Sequence, residues 1–181
     1  MDRAKTIEDI RLIPETIGEA GIEKDLTVSP DAMASILADK DLSVEESFHI
    51  HYEVKRRKEN LHAGVDVRGR VRTNCSRCLG PMTHEVDLHL ESEYVPAPPE
   101  MQGELEAQRT SPDTGYYRRE LLLGQYIVSE LVLSLPIIYT CGEGCRGLCP
   151  QCGANLNEGP CTCAAAPDPR FQVLAQLKNK H

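Results

Sequence analysis

Tryptophan is absent from this 181-residue chain and phenylalanine occurs twice, so aromatic residues make up only 4% of it. Any core must therefore be aliphatic, and such a core leaves room for another source of stability. No apolar stretch approaches the roughly 20 residues that a membrane-crossing helix needs. The opening MDRAKTIEDIRLIPETIG is charged and lacks the apolar centre of a secretory signal, so a cytoplasmic location is expected. No phosphate-cradling GxxxxGK, no HExxH and no GxSxG occurs. An enzyme is therefore not expected, nor a small-molecule substrate. Basic residues are the scarcer charge: 20 Lys and Arg stand against 28 Asp and Glu, for a net −8. A field of that sign repels phosphate backbones at long range and favours basic partners.

Cysteine is abundant. Six of the eight lie in CGEGCRGLCPQCGANLNEGPCTC, residues 141–163, and the other two form the pair Cys75 and Cys78. Cys149-Pro150-Gln151-Cys152-Gly153 reads as a metal knuckle. Two thiolates three positions apart grip one ion, proline stiffens the approach, and glycine frees the backbone after the second ligand. An even number of cysteines also suits disulfides. Against that reading, no secretory signal is visible, and Cys161 and Cys163 are too close to bridge easily. All-thiolate tetrahedral sites suit zinc or iron. Rubredoxin-like iron sites use two CPxCG-type knuckles, the sequence has one full example, and the spacings of iron–sulfur clusters are missing. Zinc is the expected metal.

Eight ligands make two closed sites, structural rather than catalytic because no position is left for water. The economical pairing puts Cys149, Cys152, Cys161 and Cys163 on one ion. Cys75 and Cys78 then join Cys141 and Cys145 on the second, closing a long loop. A single zinc, with Cys141 and Cys145 paired otherwise, is the rival arrangement. A thiol–disulfide enzyme would need a CxxC at a helix start, whereas Cys75 and Cys78 fall in a strand-to-strand turn.

Periodicity supplies the elements. Residues 7–17 hold Ile7, Ile10, Leu12 and Ile13, a poorly alternating candidate for a first strand. Ser29-Pro30-Asp31 starts a short helix with an apolar face of Met33, Ile36 and Leu37. Phe48, Ile50, Tyr52 and Val54 then alternate with His49, His51, Glu53 and Lys55, and residues 55–60 make a charged turn. Val65, Val67, Gly69 and Val71 alternate with Asp66, Arg68, Arg70, Arg72 and Asn74. Val86, Leu88 and Leu90 alternate with Glu85, Asp87, His89 and Glu91. Three successive strands with one apolar and one solvated face predict an antiparallel meander. Residues 96–115, proline-rich and acidic, read as an exposed, flexible loop. A buried helix is predicted from Tyr117 to Leu135, with Leu121, Val128, Leu131, Val132 and Leu135 on its stripe and Pro136 ending it. Asp168-Pro169 would open a last helix carrying Phe171, Leu174 and Leu177.

The fold class expected is α+β: an antiparallel meander sheet, open or barrel-like, packed on one long helix and followed by a zinc knuckle or ribbon. The corresponding divisions are residues 1–140, 141–165 and a helical tail at 166–181. Arg68, Arg70 and Arg72 form a stripe at phosphate-like spacing that Arg77 could extend, which would suit RNA. A solvated face whose arginines balance the acids of the Val86 strand explains them equally simply. His49 and His51 share that face and need no metal to account for them.

The order of strands, a Cys75-Ser76-Arg77-Cys78-Leu79 turn, an acidic loop, a helix ending Leu133-Ser134-Leu135-Pro136, and then GLCPQCGANLN at residues 147–157 resembles a bacterial family. It is similar to the YceD family, the large ribosomal RNA subunit accumulation proteins, in a cysteine-rich form. FQVLAQLK at residues 171–178 also fits. The resemblance implies a non-enzymatic role in accumulating large-subunit ribosomal RNA, as in ribosome assembly. It makes that RNA or large-subunit ribosomal proteins the expected partners. A zinc-ribbon adaptor for another machine such as transcription is the alternative, and a thiol redox protein is a third reading.

Overall fold

A computed structural model describes residues 7–38, 42–100 and 114–163. Its first unit comprises Met1–Asn74 with Pro81–Tyr139, and its second Cys75–Gly80 with Thr140–His181. The first unit holds a mixed sheet of five strands: β1 (Ile22–Val28), β2 (Phe48–Arg57), β3 (Asn60–Asn74), β4 (Pro81–Pro96) and β5 (Thr114–Tyr117), ordered β1-β2-β3-β4-β5. Two α-helices accompany it, α1 (Pro30–Ile36) and α2 (Leu123–Ser134). The α+β class therefore holds.

The long strands follow their alternation. Phe48, Ile50, Tyr52 and Val54 are buried on β2, Val65, Val67 and Val71 on β3, and Val86 and Leu90 on β4. β2, β3 and β4 pair antiparallel, with Tyr52 opposite Val65 and Val67 opposite Leu88. The valine series breaks at Gly69 because the Phe48 ring occupies the space, 2.5 Å from where a Cβ would stand. β2 and β3 join through a two-residue reversal at Lys58 and Glu59, with Lys58 left-handed at φ 59°. Helix α1 starts as its sequence dictates: the Ser29 hydroxyl accepts the Ala32 N–H at 3.3 Å and Pro30 takes the first helical position.

Three expectations are corrected, and the choice between an open and a barrel-like sheet is settled for the described residues. Residues 7–17 form no strand but two 3-10 turns, Ile7–Asp9 and Pro14–Thr16, which suits their poor alternation and their proline. They still bury Ile7, Ile10, Leu12 and Ile17 in the core. The first strand lies instead at β1, whose charged IEKDLTV sequence is tolerated because most of this edge strand is exposed. The sheet is not wholly antiparallel, since β5 runs parallel to β4, Glu93 opposite Thr114. It forms an open row among the described residues rather than a barrel.

Helix α2 is also shorter than the predicted span. Tyr117 belongs to β5, and Leu121 exchanges backbone hydrogen bonds with Leu12 at 2.8 and 3.0 Å. Helix geometry begins only after those bonds are made. Leu123, Ile127 and Leu131 then bury themselves with the sheet residues. Most of the acidic loop, residues 101–113, and the expected tail helix with Phe171, Leu174 and Leu177 lie outside the described residues.

On the solvated face, His51 Nδ1 lies 2.9 Å from Asp25 and His89 Nδ1 lies 2.9 Å from Asp66. These carboxylates raise both imidazoles above 6.5. A raised folded value means the pairs contribute all their stability below about 6.5 and lose it as the pH climbs through the higher folded value. NMR titration should therefore find both midpoints above that of a free histidine. Asp25→Asn should return His51, and not His89, toward it.

Candidate metal centres

The second unit places the eight sulfurs in two sets. Cys75, Cys78, Cys141 and Cys145 form one, and Cys149, Cys152, Cys161 and Cys163 the other, the sulfurs of each set lying within 4.8 Å of one another. Cys75 Sγ is 3.7 Å from Cys145 Sγ, and Cys78 Sγ is 3.7 Å from Cys141 Sγ. Disulfide sulfurs stand about 2.05 Å apart. Four sulfurs on a tetrahedral ion at about 2.3 Å stand about 3.8 Å apart. The observed spacing fits a shared ion and not a bond. All eight cysteines are free thiols, so each set could hold one metal ion. Cys75, Cys78, Cys145 and Cys149 are buried, while Cys141, Cys152 and Cys163 are exposed, so the first set is the better shielded.

Both sets are built on the same local turn. In the second, the Cys149 N–H donates to the Ala154 carbonyl at 2.8 Å and the Gly153 N–H to the Cys149 carbonyl at 2.9 Å. In the first, the Cys75 N–H donates to the Gly80 carbonyl at 2.8 Å and the Leu79 N–H to the Cys75 carbonyl at 2.9 Å. Gly153 is left-handed at φ 71°, as a knuckle requires, and so is Leu79 at φ 57°. CSRCLG is thus a second knuckle that sequence reasoning missed, because leucine stands where glycine is the usual signal. Each set combines one knuckle with two sulfurs from another stretch: Cys141 and Cys145 in one case, Cys161 and Cys163 in the other.

Leu79 accepts left-handed strain of about 1 kcal/mol or more, and at 63% exposure it gains little packing in return. Leu79→Gly relieves the strain against a glycine entropy cost of about 0.5–1 kcal/mol. A net gain of up to about 0.5 kcal/mol is expected with metal present. A lower denaturation midpoint for this variant would contradict it.

The turn also sets the acidity of its sulfurs. The amides of Cys78, Cys141 and Arg77 point at Cys75 and hold its thiol down at about 6; those of Cys141 and Arg77 stand at 3.4 Å. The amides of Cys152 and Gln151 hold Cys149 at about 6 in the same way. Cys145 is lowered chiefly by the Asn157 side chain. Cys141 is pushed up to about 12 by Cys145, Cys78 and Cys75, and Cys163 up to about 12 by Cys152 and by burial. Each set therefore has a poised anion and a member that its neighbours keep protonated. A divalent ion removes that conflict by supplying the charge the crowded sulfurs lack. The Arg77 guanidinium adds a tie, donating to the Cys145 carbonyl at 3.2 Å, and the Arg77 carbonyl accepts the Leu148 N–H at 3.0 Å.

The arginine stripe lies on the exposed face of β3 and is engaged. Arg68 reaches Asp87 at 3.2 Å, Arg70 reaches Glu85 at 3.5 Å and Glu46 at 3.7 Å, and Arg72 reaches Glu45 at 2.6 Å. Among these groups carboxylates outnumber guanidinium groups. Arg77 belongs to the second unit.

A family model described as large ribosomal RNA subunit accumulation protein YceD matches residues 63–178. Uncharacterized proteins of Mycobacterium bovis and Mycobacterium tuberculosis are each 32% identical to the chain over 128 residues, covering 67% of it. The chain spans 59% of the length of these relatives. No solved structure matches it.

Proposed function

Because this chain belongs to the YceD family of large ribosomal RNA subunit accumulation proteins, we propose that it is a non-enzymatic factor in assembly of the large ribosomal subunit, with two structural zinc ions. The single observation that carries the metal half is the gathering of eight sulfurs into two sets of four, each within 4.8 Å, with two separations of 3.7 Å in the first. Zinc is preferred to iron because each set holds one knuckle rather than two. Four thiolates close each ion against water, which suits a structural role and leaves no position for catalysis.

The contact surface is better matched to a basic ribosomal protein than to bare RNA. The chain carries net −8, and each four-thiolate zinc site adds roughly −2 more. The arginines at Arg68, Arg70 and Arg72 already face four carboxylates, so a phosphate approaching them meets local negative charge. Tagged protein should co-sediment with precursors of the large subunit. A triple Arg→Gln variant at these positions should co-sediment equally well. Loss of binding in that variant would return the contact to RNA, and failure of the unaltered protein to sediment with any ribosomal particle would remove the assembly role.

A second reading, a zinc-ribbon adaptor for another machine, draws on one observation: the cysteines belong to a compact unit of their own. The same fractionation separates the two readings, since an adaptor would leave the ribosomal fractions empty.

A further inference from the structure

Asn155-Leu156-Asn157 follows the second knuckle and supplies no sulfur to either set. Its two side-chain amides nevertheless touch each other, and one of them reaches the first set. Asn157 Nδ2 lies 3.5 Å from Cys145 Sγ and 2.9 Å from Asn155 Oδ1. Asn157 Oδ1 accepts the Arg146 N–H at 2.7 Å, and the Asn157 N–H donates to Asn155 Oδ1 at 3.1 Å. Asn155 Nδ2 in turn donates to Glu158 Oε1 at 2.9 Å.

These contacts fix the direction of both amides. A backbone N–H can only donate, so the Asn157 atom facing Arg146 is the oxygen, and its NH2 is left facing sulfur. Asn155 Oδ1 receives two N–H groups, so its own NH2 must point away, toward Glu158.

The backbone ties Asn155 to the second set. It pairs with Leu148 across a small hairpin whose bend is the Cys149–Cys152 knuckle. On either side, the Ala154 carbonyl accepts the Cys149 N–H and the Leu156 N–H donates to the Gly147 carbonyl. Asn155 is therefore placed by the second knuckle, and it orients Asn157. Asn157 gives an N–H to Cys145, a member of the first set. A thiolate that accepts such a bond is held in position and its charge is partly met.

We propose that Asn155 and Asn157 are positioning residues that couple the two metal sites: an ion on Cys149, Cys152, Cys161 and Cys163 orders the amide pair and tightens the site of Cys75, Cys78, Cys141 and Cys145. By linkage the reverse holds to the same degree. The proposal rests on the reading of both sets as zinc sites. Partners just outside a metal's ligands are worth about 10- to 100-fold in affinity, and a coupling of about tenfold is expected.

Native mass spectrometry of the reduced full chain, titrated with zinc below saturation, tests it. At half filling, sites of equal affinity coupled tenfold leave about a quarter of the protein in the one-zinc form, against about half for independent sites. Asn157→Asp keeps the shape and the oxygen facing Arg146 but replaces the donor with negative charge beside Cys145. Asn155→Ala removes the relay and leaves the sulfur untouched. In both variants the one-zinc form should become prominent, with the Cys149 set protected from alkylation and the Cys75 set open. With saturating cobalt, Asn157→Asp should also shift the sulfur-to-cobalt charge-transfer band, which a merely structural defect would not do. Should Asn157→Asp not fold, Asn155→Ala alone decides. Unaltered protein that fills its sites in statistical proportion, or variants that fill as it does, would overturn the coupling while leaving zinc binding intact. Unaltered protein that binds no zinc would instead sink the reading beneath it.

Discussion

Cys75→Ser should weaken zinc binding at its own set about a hundredfold and should loosen the unit that holds both ions. Cys75 is fully buried, lies 3.7 Å from Cys145, and receives the amides of Arg77 and Cys141 at 3.4 Å. No other sulfur among the described residues can take its place, because the remaining cysteines belong to the second set. A structural zinc contributes roughly 10–16 kcal/mol to folding of the segment around it. Shared among four ligands that is about 3 kcal/mol each, or about a hundredfold in affinity. Serine offers a hydroxyl that stays protonated at neutral pH, so little of this is recovered.

Native mass spectrometry with free zinc buffered just above the level that fills both sites of the unaltered protein reads the loss as one ion instead of two, and limited proteolysis reads the loosened segment as new cleavage between residues 140 and 163. The strands of the first unit, which have their own aliphatic core, should keep their circular dichroism. Retention of two ions by this variant at that buffered zinc level would show that Cys75 is not a ligand. Chelation and acid should reproduce the effect in the unaltered protein, since the ligands bind as thiolates and a proton competes with the metal for each.

The largest effect expected outside the cysteines comes from adding one methyl group. Gly124→Ala in α2 would ordinarily stabilise a helix by about 1 kcal/mol. Here the new Cβ would stand 1.9 Å from the Ile7 carbonyl oxygen and 2.9 Å from its carbon. Both atoms are backbone, in the 3-10 turn that buries Ile7 completely. The Gly124 N–H also donates to the Ile10 carbonyl at 3.0 Å. The turn must therefore lift from the helix, straining a packed contact at about 1–3 kcal/mol and losing a hydrogen bond of about 1 kcal/mol. The steric cost outweighs the propensity gain, and a net loss of about 2 kcal/mol is expected in urea denaturation. Gly18→Ala, where nothing lies within 4 Å, should change stability by no more than about 0.5 kcal/mol. A Gly124→Ala variant as stable as the parent would show that the close approach of Ile7 is not maintained in solution.

Much of the sheet was legible in the sequence because a half-buried strand writes its two faces as alternate residues. β2, β3 and the middle of β4 all do so. β1 was not legible: an edge strand that buries little carries no such pattern, and its IEKDLTV stretch received no assignment. The start of α2 was misplaced for the opposite reason. Leu121 and Leu122 run into the helix without a break, and only the bonds between Leu121 and Leu12 and the pairing of β5 with β4 reveal where strand gives way to helix.

At the candidate centres, cysteine spacing was enough to suggest the sets, since a CxxC turn and a CxC pair restrict which sulfurs can reach one ion. The conformation of Cys75–Gly80 was not suggested, because Leu79 hides a left-handed position that glycine would have announced. Nor was the part of Asn155 and Asn157, whose amides acquire meaning only beside Cys145.

What the chain determined by itself is local: which residues alternate, where a proline or a hydroxyl begins a helix, and which thiols lie close enough along the backbone to share a grip. What only the folded molecule decided is long-range. Cys78 meets Cys141 across 63 positions and Cys75 meets Cys145 across 70, and Ile7 forbids a side chain at position 124. Local preferences act through bonds between near neighbours, which a sequence displays directly. Contacts between distant residues exist only after the entropy of closing the chain between them has been overcome; leftover cysteines can hint at a shared ion, but which sulfur faces which, and that Ile7 meets position 124, is written near neither partner.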